Sequence, residues 1–195
     1  HHQPRRQRQM CIRDRSWYKS QKIWPFVIML RNKNLFLTSQ GLICPDRIIP
    51  VSFGKGGISK RPKEHEPTTP TGEHTIIGML YRPDRLKKPR DWAMPILINS
   101  FWSNDERDPD YNLMVSYSNT YCRKKLRVPT PTYDLILLTD WNWPQAIKGR
   151  GSAFFIHQWS AKKAPTNGSI AMSREALFWL AANVDYGTKI IIKVT

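Results

Sequence analysis

Long apolar runs are missing from this 195-residue chain. The longest candidate, Ile23 to Leu30, is interrupted by Pro25 and falls well short of the ~20 residues that cross a bilayer as a helix. No membrane span is expected. Cysteine is scarce, and Cys11, Cys44 and Cys122 lie far apart, without the paired spacing of zinc or redox motifs. No metal site is expected, and Cys44 and Cys122 read as small buried hydrophobes. The glycine-rich piece Gly54-Lys55-Gly56-Gly57 lacks the spacing and the trailing Lys-Ser/Thr of a phosphate loop, so it reads as backbone turns. Acidic residues are few, 15 against 31 Lys and Arg, which leaves a net charge of +16.

What is present suits one globular domain: 40% hydrophobic and 11% aromatic residues supply a core despite the charge. The charge is uneven. Residues 1–22 hold seven Lys or Arg and one acid, Asp14, and show no hydrophobic periodicity through His1 to Arg15. This stretch reads as a basic tail, disordered or not native to the protein, ahead of a domain spanning 23–195. The short apolar stretch Trp24 to Leu30 after it, with no small-residue cleavage site, does not make a signal peptide. A basic, tryptophan-rich chain suits a nucleic acid, equally another anionic polymer such as a bacterial cell wall, or a merely solvated basic surface, and composition does not separate them.

Fifteen prolines and ten glycines punctuate short β-rich segments such as Leu35 to Thr38 and Ile48 to Phe53. A polar loop then runs to Thr71-Gly72, followed by a predicted strand from His74 to Tyr81. Residues 82–132 are the least regular part, of the kind that builds binding surfaces. Tyr133 to Leu138 and Ala153 to Ile156 read as buried strands on either side of a loop. Leu177, Leu180, Ala181 and Val184 recur at helical spacing behind Ser173, a plausible N-cap, with Glu175 in the first turn. A turn at Asp185-Tyr186-Gly187 and a strand from Thr188 to Val194 close a mainly β pattern.

One stretch carries chemistry. His157, at the end of a strand, precedes by twelve positions a Gly168-Ser169 step that leads into the helix. A strand-held imidazole and a hydroxyl in a glycine turn suit a base and a nucleophile, with backbone N–H groups available to an oxyanion. A lone His and Ser so spaced also serve structural ends, and spacing does not choose between the two.

Gly54-Lys-Gly-Gly57, Thr69-Pro-Thr-Gly72, Tyr81-Arg-Pro-Asp-Arg85, Asp108-Pro-Asp-Tyr-Asn112, Tyr133-Asp134, Gly149-Arg-Gly-Ser-Ala153 and Pro165-Thr-x-Gly168 stand in this order. Together with His157 they resemble a compact, single-domain branch of the L,D-transpeptidase (YkuD-type) catalytic domain family. The resemblance implies a two-sheet β-sandwich with one helix after the nucleophile turn, acting without a metal or organic cofactor. It implies acyl transfer between peptidoglycan stem peptides through an acyl-enzyme, in the periplasm or cell wall. Carried over by position, His157 is the base, the backbone carbonyl of Gln158 orients it, and Gly168 and Ser169 donate to the oxyanion. Thr166 and Asn167 shape the turn and contact substrate; Tyr81, Arg82, Asn142 and Arg150 are further substrate-binding candidates. Arg82 and Arg85 also have a structural reading, as anchors against Asp84 or Asp134, and Asn142 and Arg150 as holders of loop carbonyls.

The departure lies at the centre, where Ser169 stands in place of the family's nucleophilic cysteine. Three accounts follow: a pseudoenzyme that still binds wall peptide, a serine variant with residual transfer, or an altered copy of an active cysteine enzyme. A non-catalytic basic binding module and a stem-peptide hydrolase are the alternatives from other classes.

Overall fold

A computed structural model describes residues 33–116, 121 and 123–193. The basic tail 1–22, the apolar stretch Trp24 to Leu30, Cys11 and Cys122 lie outside these residues. The strands are β1 (Leu35–Thr38), β2 (Gly41–Ile43), β3 (Ile48–Ile49), β4 (Val51–Ser52), β5 (Ile58–Ser59), β6 (Thr69–Pro70), β7 (Gly72–Tyr81), β8 (Ala93–Pro95), β9 (Phe101–Ser103) and β10 (Met114–Val115). There follow β11 (Arg123–Lys125), β12 (Leu135–Thr139), β13 (Phe155–Gln158), β14 (Ile170–Met172), α1 (Arg174–Asn183) and β15 (Lys189–Ile192). The molecule is mainly β, and α1 is the one α-helix among the described residues.

Ten strands join in the order β3-β2-β1-β15-β7-β12-β13-β14-β4, with β8 added on β7. The long β7 serves both halves of this path. Its first residues, Gly72 to Thr75, pair with β15, and Ile76 to Tyr81 pair with β12. The two-sheet expectation takes this form, two halves sharing one strand, beside a three-stranded sheet (β10-β9-β11) and the pair β5-β6.

Side chains alternate across a strand, so β12 can be buried along its whole length only if both its faces are covered. Both are. Leu135 and Leu137 join Leu35 and Leu37 of β1, Ile190 and Ile192 of β15, and Leu177, Leu180, Ala181 and Val184 of the helix in one core. Ile136 and Leu138 face the other way, into a second cluster with Trp102, Leu126, Tyr133 and Phe155. This second cluster seats the three-stranded sheet on the outer face of β12 and β13. It places that sheet beside the cleft.

The predicted helix starts where its cap predicts: the Ala176 N–H donates to Ser173 Oγ at 3.2 Å, with Glu175 in the first turn. Residues 82–132, read as irregular, hold β8 to β11, each only two or three residues long. Strands so short carry no readable alternation. β8 is held by pairing with β7, and β11 is anchored by a buried ion pair, Arg123 Nε donating to Asp108 Oδ2 at 2.7 Å with side-chain exposures of 2% and 1%.

Candidate active site

Strands β13 and β14 run parallel, with Ile156 opposite Ile170 and His157 opposite Ala171. Ser169 immediately precedes β14, so the imidazole and the hydroxyl come to one cleft of about 530 Å³. Both residues are 7% exposed.

The turn before Ser169 is stitched to the Gly54 loop. Thr166 N–H donates to Phe53 O at 2.9 Å, and Lys55 N–H donates to Thr166 O at 3.0 Å. Thr69, fully buried, joins the same pieces: its Oγ1 donates to Gly168 O at 2.7 Å and accepts from Gly54 N–H at 2.9 Å. Gly168 has φ +121°, and a Cβ there would stand 2.9 Å from Thr68 O, so the turn demands glycine. Three of the sequence segments that carry the resemblance, at Gly54, Thr69 and Pro165–Gly168, thus meet at the nucleophile position.

His157 Nδ1 lies 2.8 Å from Gln158 O. A carbonyl only accepts, so Nδ1 carries the proton and Nε2 keeps the lone pair in the neutral ring. The Tyr133 ring meets the imidazole edge-on, with centroids 5.2 Å apart. Burial pushes the imidazole down to about 4, the Gln158 hydrogen bond opposes the fall, and the Lys124 charge adds to it. The ring is neutral at pH 7.

Ser169 Oγ lies 3.4 Å from Ala153 O, to which it donates, and 3.4 Å from Phe155 N–H, which donates to it. Ala153 is itself fixed, at φ +56°, by its N–H donating to Asn112 Oδ1 at 3.0 Å. Asn112 also accepts from Trp102 Nε1 and donates to the carbonyls of Trp141 and Asn142. It is the hub that positions the strand facing the nucleophile. Only its place in the Asp108-to-Asn112 segment marked it in the sequence.

The structure sorts the other candidates. Thr166, buried, and Asn167, exposed, both line the cleft, and Thr166 Oγ1 is occupied by Ser169 O. Gly168 N–H, expected to face an oxyanion, donates to Thr166 Oγ1 at 3.1 Å, because the tight turn satisfies its own donor. Arg82 does not reach the cleft: it clamps Asp84 through two hydrogen bonds of 2.8 and 2.9 Å and donates to Val128 O at 2.7 Å. Its structural reading is the one the geometry matches. Tyr81 packs on the main core. Asn142 is buried and spends its amide on Ile147 O and Gly151 O, holding the loop. Arg150 lies over the Trp141 ring, 4.8 Å from its centroid, one residue removed from the cleft that Trp141 lines. Gln158 turns its side chain away, to Arg174.

Sequence reasoning missed Lys124 and Glu64, both lining the cleft. Glu64 accepts from Tyr111 Oη and, at 3.1 Å, from Ser152 Oγ. Cys44 is a buried free thiol pushed up to about 12, first by burial, and is no substitute nucleophile.

The neutral imidazole of His157 on β13 and the Ser169 hydroxyl just ahead of β14 thus share one cleft beside a glycine turn. The chain belongs to the YkuD family, the L,D-transpeptidase catalytic domain, which matches residues 26–192. It is similar to an L,D-transpeptidase from Mycobacterium smegmatis, with 16% identity and a TM-score of 0.38 over 82% of this chain. The chain spans 56% of the length of that protein. No curated protein matches it in sequence.

Proposed function

We propose that this domain binds peptidoglycan stem peptides in the His157–Ser169 cleft, and that serine at the nucleophile position leaves it a weak acyl-transfer enzyme or a binder alone. Family membership supports the substrate class. The observation that carries the proposal is the pairing of Ser169 Oγ with Ala153 O and Phe155 N–H, next to an imidazole held near 4.

A serine hydroxyl must lose its proton as it attacks, which needs a base in contact and of suitable strength. A thiol titrates near ~8.5, far below a serine hydroxyl, so it asks much less of the same weak base. The site therefore suits a thiol better than a hydroxyl. With cysteine at 169, sulfur would attack the stem carbonyl, its proton would pass to His157 Nε2, and that proton would leave with the departing amine of the terminal residue. An amine of a second stem, or water, would then release the acyl group. Such a domain works where peptidoglycan lies, outside the bacterial inner membrane.

Intact-protein mass spectrometry of the chain and of Ser169→Cys, each with disaccharide-tetrapeptide and separately with a carbapenem, tests this. An adduct or crosslinked product with Ser169→Cys and none with serine is expected. Equal reaction of both makes Ser169 a working nucleophile. No reaction and no peptide binding by either folded protein defeats the proposal.

A further inference from the structure

Lys124 sits in the middle of β11, opposite Trp102 of β9. Alternation sends its neighbour Arg123 inward to Asp108 and leaves Lys124 lining the cleft, half-buried, with His157 and Ser169. Its Nζ lies 4.9 Å from the centroid of Tyr133 and 6.0 Å from that of Phe155. These are aromatic faces, and they leave its three N–H donors without an anionic acceptor. Among the described residues no carboxylate forms an ion pair with it. The other cleft lysines differ: Lys63 stands 3.8 Å from Glu66, and Lys55 is exposed to water. Taking an ammonium partly out of water without a counter-charge is costly, so the arrangement is suited to an anion that arrives from outside.

The geometry points to Lys124 as the residue that holds the free C-terminal carboxylate of a stem peptide, and so selects peptides whose next residue after the scissile carbonyl is the last. This rests on the stem-peptide reading of the cleft. In such a peptide the terminal carboxylate lies one residue beyond the reacting carbonyl, a span of about 3.8 Å between α-carbons. Lys124 Nζ and the His157 imidazole both lie against the Tyr133 ring, 4.9 and 5.2 Å from its centroid, so the cation and the base line the same part of the cleft. Pairing has a second effect. The Lys124 charge holds down the basicity of His157, and a carboxylate on Lys124 cancels that field, so the base strengthens when the correct peptide is seated.

The test is calorimetric binding of a tetrapeptide stem and of its C-terminal amide to the whole chain, unmodified and as Lys124→Met and Lys124→Arg. The unmodified chain should prefer the acid over the amide by about 10- to 100-fold, the range for a hydrogen-bonded charge. Lys124→Met should weaken the acid to the level of the amide and leave the amide unchanged, and Lys124→Arg should keep most of the preference. Equal binding of acid and amide by the unmodified chain overturns the role of Lys124 and spares the stem-peptide site. Equal loss of both peptides in Lys124→Met also overturns it. Binding of neither peptide, with no product from Ser169→Cys, overturns the site and Lys124 together.

Discussion

At the scale of single residues, His157 trades stability for a neutral ring. Folding lowers its proton affinity, so between the ordinary value of 6.5 and the folded value of about 4 the unfolded chain binds the proton and the native one does not. Stability is therefore unaffected by this group above pH 6.5 and falls as pH drops through that window, by about 3 kcal/mol at the lower end. His74, which donates to Pro70 O at 3.3 Å, is lowered by burial as well and adds a loss of the same sign. His157→Gln should therefore flatten part of the acid slope of the melting midpoint between pH 6.5 and 4, measured by calorimetry; an unchanged slope would show that the ring protonates freely in the fold. Gly168→Ala should cost about 1–3 kcal/mol, because it forces a side chain into φ +121° with Thr68 O 2.9 Å away. Denaturant titration reads that loss. His157, Ser169 and the glycine were legible in sequence because a strand end and a glycine turn are local patterns. The partner of Gly168 N–H was not, since Thr166 Oγ1 reaches it only through the closed turn.

At the scale of elements, legibility followed strand length. β7, β12 and α1 span 10, 5 and 10 residues, long enough for period-2 patterning, an unbroken apolar run or a helical repeat to show. β9, β10 and β11 carry two or three residues each, paired through β9, and a side-chain network ties β9 to β11. Arg123 on β11 reaches Asp108, and Asp108 Oδ2 also accepts from Ser103 Oγ on β9 at 2.6 Å. A polar knot of this sort has no sequence period, and for that reason Lys124 escaped notice. Arg123→Met leaves the Asp108 carboxylate buried without its main counter-charge, and the expected loss is about 3–5 kcal/mol. Because β11 carries Lys124 into the cleft, the same variant should lose the acid-over-amide preference even where it remains folded. A melting midpoint within a degree or two of the parent would show that Ser103 and the local backbone suffice to hold Asp108.

At the scale of the whole molecule, the positive charge is spread unevenly along the chain. Six of the sixteen net positive charges belong to residues 1–22, which leaves ten for the remainder. The family match begins at residue 26, and among the described residues the core draws on Leu35 onward. We therefore expect the chain lacking residues 1–22 to melt within about 1–2 °C of the full chain, since the family match and the core of the described residues both lie beyond that stretch. If the proposed function holds, attachment to whole peptidoglycan should change in a different way. Long-range attraction to an anionic polymer scales with charge and is screened by salt, whereas a carboxylate seated in a 530 Å³ cleft is screened less. Co-sedimentation with isolated cell walls at rising salt should show the full chain losing more binding than the shortened one, while tetrapeptide affinity in calorimetry stays the same for both. A large fall in melting midpoint on shortening would mean that the folded domain begins before residue 23. Equal salt sensitivity of the two chains would instead place the wall-attracting charge on the domain itself, with Lys55, Lys63 and Lys124 around the cleft as its nearest source.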